Sequence, residues 1–144
     1  MSTITDIADA VVTALNAASI VQTFTAARHY LPVIERDELS TLTVSVAPAA
    51  WDISLLGRGS SENEYAVDIG VQKQFTASTR ATINTELDPL LTFIEAIADL
   101  FLRQPIGSTG THCRRITNDP IFSPDAFLGG EFRSVLRLFC WKGR

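Results

Sequence analysis

The sequence predicts an α+β fold, a mainly antiparallel sheet with two principal helices packed on it, formed as one domain over residues 1–144. Three observations predict it. Apolar residues recur at helical spacing in two long stretches, one near the amino terminus and one around residues 87–101. β-Branched and aromatic residues alternate at period two in the stretches between and after them. Helices and hairpins are also segregated, without the strand-helix-strand repeats of a parallel sheet. With 144 residues, 46% of them hydrophobic, the chain has material for one core and too little for two independent ones.

The first helix is expected from Ile4 to Ala17. Thr3 and Asp6 resemble a capping box, and Ile7, Ala8, Val11, Val12 and Leu15 make a wide apolar stripe, leaving Asp9, Thr13 and Asn16 outward. Phe24–Pro32 reads as a strand, followed by the charged break Glu35, Arg36, Asp37, Glu38. Leu42, Val44 and Val46 alternate in a second strand that Pro48 should end, and Trp51–Leu56 begins a third. Gly57–Asn63 reads as a polar hairpin tip. Beyond it Tyr65, Val67, Ile69 and Val71 alternate with Ala66, Asp68, Gly70 and Gln72, the pattern of a strand with one buried and one wet face.

Thr76–Asn84 reads as a polar linker. The second helix then carries Leu87, Leu90, Leu91, Ile94, Ala98 and Phe101 inward and Glu95 and Asp99 outward. Pro89 is expected in its first turn, where a missing amide hydrogen costs nothing, and Pro105 bounds its end. After the loop Gly107–Gly110, a strand is expected over His112–Thr117. Ser123, Pro124 and Asp125 cap a short helical turn closed by Gly129 and Gly130. The last strand, Phe132–Trp141, sets Phe132, Leu136, Leu138 and Cys140 against Arg133, Val135, Arg137, Phe139 and Trp141, so both its faces are expected to be covered.

The net charge is −4, unevenly spread. Residues 1–102 hold five Lys/Arg against thirteen Asp/Glu, a balance of −8, and the rest hold seven against three, a balance of +4. Such asymmetry suits a head-to-tail interface between identical copies, and ten of the twelve basic residues are Arg, the cation favoured in buried planar contacts. Only 19% of residues are charged, below the roughly 25% usual for soluble domains, so some apolar surface is expected to meet a partner. The polar, acidic start is unlike a secretion signal, and no apolar run is long enough for a membrane span, so a cytosolic protein is expected. Two cysteines, Cys113 and Cys140, are too few for a disulfide scaffold and read as reduced core residues.

No catalytic, metal or cofactor site is expected. His29 and His112 are the only imidazoles, and neither has a nucleophile or ligand set spaced around it. His112 and Cys113 are neighbours in a strand, so they point to opposite faces. The pairs Asp37/Glu38 and Glu62/Glu64 fall in polar turns, and the glycines at 57 and 59 fit no phosphate-binding loop. An acidic chain is a poor general nucleic-acid binder.

The blocks DIADAVVTALNAA, FTAARHYLPVIERDELSTLTVSVAP, YAVDIGVQKQF, ELDPLLTFIEAIADLF and NDPIFSPDAF followed by FRSVLRLFCW together resemble the tail terminators of long-tailed bacteriophages and prophages, small neck proteins of the virion. The resemblance implies a non-enzymatic α+β subunit that forms a ring, usually a hexamer. The ring caps the head-proximal end of the tail tube, stops its polymerisation and docks the head-completion proteins. Its implied partners are copies of itself, the tail tube protein and the head-completion or connector protein. DNA would only pass through the channel, and no cofactor or membrane is implied. Candidate interface residues are Arg58, Glu62, Glu64, Arg80, Arg133 and Arg137. The Gly57–Asn63 tip is expected to order only against the tube or a neighbouring copy. Alternatives are a head-side connector of the same ring class or, in a different class, a small cytosolic ligand-binding domain or enzyme.

Overall fold

The computed structural model describes residues 3–18, 24–30, 42–75, 79–107, 109–118 and 121–143. The charged break at residues 35–38 and the end of the first expected strand lie outside them. The elements run α1 (Thr3–Ala17), β1 (Thr25–Arg28), β2 (Thr43–Gly57), β3 (Ser60–Gln74), α2 (Arg80–Phe101), β4 (His112–Thr117), α3 (Pro124–Leu128) and β5 (Glu131–Gly143). The fold is α+β. Its five strands form one sheet in the order β1-β2-β3-β5-β4, antiparallel except for β1 against β2.

One hydrophobic core lies on one face of the sheet. Ile7, Ala8, Val11 and Leu15 of α1 and Leu87, Leu90, Phe93, Ile94, Ile97 and Phe101 of α2 join Val44, Val46, Tyr65, Val67, Ile69, Val71, Leu136, Leu138 and Cys140 in a single buried cluster. Each sheet residue in that list has the strand parity of Val67, as the pairs Val46 with Ile69 and Ile69 with Leu136 require. Helix α3 joins the same side through Phe127 against Phe75, and Phe122, just before the helix, packs on both Phe127 and Phe132. Ala47 and Ala66, of opposite parity, are buried yet stand outside the cluster.

Side chains of α1 also fasten β1. Asn16, which the periodicity set outward, donates to the Ala26 carbonyl (3.1 Å) and accepts from the Ala26 amide (2.9 Å), doing for β1 what a neighbouring strand would do. Asp9, also outward by periodicity, pairs with Arg28 at 2.8 Å.

The expected second and third strands are one. β2 runs through Pro48, because a bulge between Pro48 and Ala50 takes up the irregularity without breaking the pairing with β3. The hairpin tip is also shorter than its composition suggested. Arg58 and Gly59 alone make the turn, with Gly59 at φ 81°, and Ser60–Asn63 are already strand. Asn63 lies between Ile53 of β2 and Lys142 of β5, so the single chain supplies both neighbours. The expectation that this segment orders only against a partner is corrected accordingly.

The second helix starts seven residues before Leu87, and Pro89 sits in its interior rather than its first turn. Thr79 caps it: its hydroxyl accepts from the Thr82 amide, and the Thr82 hydroxyl accepts from the Thr79 amide at 3.3 Å. Threonine in place of the usual Glu or Gln hid this box in the polar stretch. An interior proline costs a helix about 3 kcal/mol, here borne by a helix of 22 residues anchored on six buried side chains. Pro89 is exposed, so its ring faces away from the core. Among the described residues no helix is long and apolar enough to cross a membrane.

Candidate assembly surface

The face of the sheet away from the helices is built differently. On β3 it carries Glu62, Glu64, Ala66, Asp68, Gly70 and Gln72, and on β5 Arg133, Val135, Arg137, Phe139 and Trp141. The alternation in β3 predicted a wet face, but Ala66, Asp68 and Gln72 are all buried. Small residues at 66 and 70 lie beneath the longer side chains beside them. Their register partners on β5 are Phe139 and Val135. Conversely, β5 is not covered on both sides, since Arg137 stays exposed and Val135, Phe139 and Trp141 are half-buried.

Three charged groupings cross this face. Arg137 donates from Nε (2.8 Å) and Nη2 (3.1 Å) to the two carboxylate oxygens of Asp68, its register partner. The Asp68 side chain is 10% exposed and that of Arg137 45%. The hydrogen bonds and the charge of Asp68 raise the Arg137 guanidinium above its ordinary range. Arg114 lies over the Trp141 ring (5.9 Å) and reaches Glu62 (2.7 Å) and Glu64 (3.1 Å). Burial works against its charge most, but the two carboxylates outweigh it and leave its pKa raised. Arg133 pairs at 2.7 Å with the buried Glu131, whose other oxygen accepts from the Gln72 amide at 3.2 Å. Beside the first grouping, Arg115 stacks 4.0 Å from the centre of the Phe139 ring. Asp68, Thr117, Val135, Arg137 and Phe139 line a furrow of about 300 Å³.

Four of the six candidate residues, Glu62, Glu64, Arg133 and Arg137, therefore share one face, each in an ion pair within the chain. Arg58 stands apart at the exposed hairpin tip. Arg80 is the first residue of α2, and its side chain lies outside the described residues. Sequence reasoning missed Asp68, Arg114 and Arg115 as members of this surface. Asp68 was visible as an outward acid in a strand, but its pairing with Arg137 depends on a register that no local pattern reveals.

A second surface feature is apolar. Trp51, Ile53 and Leu55 are 58%, 58% and 84% exposed. They stand opposite Tyr65, Asn63 and Ser61 on the distal half of β2. The bulge at Pro48/Ala50 puts them there: it shifts the parity by one, so the row continues the core face past the helices. Trp51 is held flat against Tyr65, with ring centres 5.9 Å apart and planes at 8°, and its indole N–H donates to Asn63 Oδ1 at 3.2 Å.

The residues that could support chemistry are dispersed. His29 and His112 are exposed, while Cys113 next to His112 is buried, on the opposite face. Cys113 and Cys140 are register partners across β4 and β5. The hydrogen bond between their side chains lowers the first and raises the second, and burial raises Cys140 further. Among the described residues no three His, Cys, Asp or Glu side chains are grouped to hold a metal ion. No family model matches this chain, and no curated protein matches it.

Proposed function

We propose that this chain is a ring-forming neck protein of a long-tailed phage. Copies of it, usually six, cap the head-proximal end of the tail tube, stop its growth and dock the head-completion protein. It acts by fit between surfaces, without a catalytic group. The observation that carries this reading is the row Trp51, Ile53, Leu55, left exposed on an otherwise well-ordered strand. Three large apolar side chains in line are a surface made to be covered. The ordered-block resemblance to tail terminators supplies the kind of assembly.

The bare sheet face supports the same reading. Arg114, Arg133 and Arg137 are spent on Glu62, Glu64, Glu131 and Asp68 rather than arranged around a reactive centre, which stiffens a docking surface. The test is a phage lacking this chain. Tails longer than normal support a terminator. Normal tails with detached heads would assign the chain to the head side instead, and intact virions would reject the reading. Closed rings of the purified protein in negative-stain electron micrographs are the expected companion result.

A further inference from the structure

Resting on the ring reading, we propose that the ring closes by strand addition: the distal edge of β2 in one copy pairs with the free edge of β4 in the next.

The two flanks of the sheet are unlike. β1 covers β2 only from Thr43 to Val46. Beyond that, residues 47–57 have β3 on one side and, among the described residues, no strand on the other. An edge with unspent backbone donors and acceptors invites another strand. Pro48 and the bulges at Pro48/Ala50 and Leu55/Gly57 guard the two ends of this edge, but between Ala50 and Leu55 there is no lysine or proline and Asp52 is the only charge. On the opposite flank, among the described residues, β5 is the one strand that pairs with β4. The segment 103–105 shields only its beginning, through Arg103 N–H to the Cys113 carbonyl, Cys113 N–H to the Gln104 carbonyl, and the bridge from Pro105 to His112. Among the described residues, no strand pairs with 114–117 on this edge.

Direction, charge and hydrophobicity select a second copy as the occupant. Counting across the sheet, β2 and β5 run one way and β3 and β4 the other. A neighbour placed side by side in the same orientation therefore brings its β2 antiparallel to β4, the more stable pairing. The face carrying Asp52 on β2 also carries Arg115 on β4, as their partners Glu64 and Phe139 show; the register puts Asp52 level with His112 and Arg115 level with Ala50, so a neighbour slid two residues along the strands sets acid beside base. On the other face the same slide sets Trp51 opposite Ile116, with Ile53 and Leu55 following it along the strand. The join is heterologous and repeats, which excludes a two-fold pair and gives a ring when the rotation from copy to copy closes.

Light scattering on the full chain tests this, with circular dichroism to confirm folding. The wild type is expected as a ring, many times the 15.7 kDa of one copy. Ile53→Lys should reduce it to single copies. Asp52→Arg and Arg115→Asp should each do the same, and the double variant should regain the ring. Rings that persist in Ile53→Lys and in both single charge variants would overturn the strand-addition proposal and leave the ring reading standing. A two-copy particle broken by Asp52→Arg but not by Arg115→Asp would show two-fold pairing of β2 with itself and overturn it too. Single copies of wild type at concentrations up to about 1 mM would overturn self-closure by strand addition, while the tail-length phenotype decides the capping reading.

Discussion

The β2–β3 ribbon is one pair of strands with two different halves. In the proximal half, Val44, Val46, Val67, Ile69 and Val71 lie under α1 and α2 at 1% exposure or less, and the edge is covered by β1, itself tied down by Asn16. In the distal half the same face carries Trp51, Ile53 and Leu55 into solvent, and among the described residues no strand lies along the edge. Both halves are continuous antiparallel ladder with apolar alternation. Hydrophobicity alone therefore does not say whether a strand residue builds a core or offers a contact; the presence of a helix layer above it does.

The sharpest way to break the comparison is to truncate matched residues. Ile69→Ala removes a fully buried side chain and should cost about 2–5 kcal/mol in urea unfolding, while Ile53→Ala should stay within about 0.5 kcal/mol. Equal losses would mean that the arm is packed in the free protein.

Deleting Ala49 tests the joint between the halves. Removing the bulge residue leaves Pro48 opposite Val67 and Trp51 opposite Tyr65 in a regular ladder, so Trp51, Ile53 and Leu55 should keep the core face. The Trp51–Tyr65 stack, worth about 0.5–1.5 kcal/mol, should survive, and the near-ultraviolet circular dichroism should stay unchanged. A lost aromatic signal would show that the row depends on the bulge itself and not on the pairing with β3.

A smaller contrast separates the polar residues. Asp68→Ala, in the proximal half, leaves Arg137 without its bidentate partner and should cost about 1 kcal/mol, since Arg137 is nearly half exposed. Glu64→Ala, in the distal half, leaves Arg114 its bond to Glu62 and should change stability by a few tenths of a kcal/mol. Thermal unfolding of the two variants checks the ranking.

The smallest effect concerns pH. The Arg137 pKa is raised on folding, so its contribution is fully present below the unfolded arginine value and is lost only as pH climbs through the folded one. The difference in stability between wild type and Asp68→Asn should thus stay flat from about pH 7 to pH 10. A slope in that window would implicate another group.

Much of this was legible in the chain itself. The stripe of α1, the inward side of α2 from Leu87 to Phe101, the cap at Ser123 and the two faces of β5 follow from local periodicity and capping chemistry. The start of α2 was hidden because Thr79 and Thr82 cap each other with hydroxyls, a box that reads as linker. Pro48 misled because a proline ends a strand unless a bulge takes up the irregularity beside it.

The candidate surface was half legible. Glu62, Glu64, Arg133 and Arg137 stood out by charge, and they share a face because period two is local. That Arg137 meets Asp68, 69 positions away, and that Arg114 spans Trp141 to reach Glu62 and Glu64, are matters of register. The sequence by itself determined which segments are helix or strand and which side of each is apolar, since neighbours a few residues apart set those preferences. Only the tertiary structure decided that a bulge realigns the distal row of β2 with the core face, that the helices stop short of it, and that the two sheet edges differ, because strand order and register arise from contacts between residues far apart in the chain.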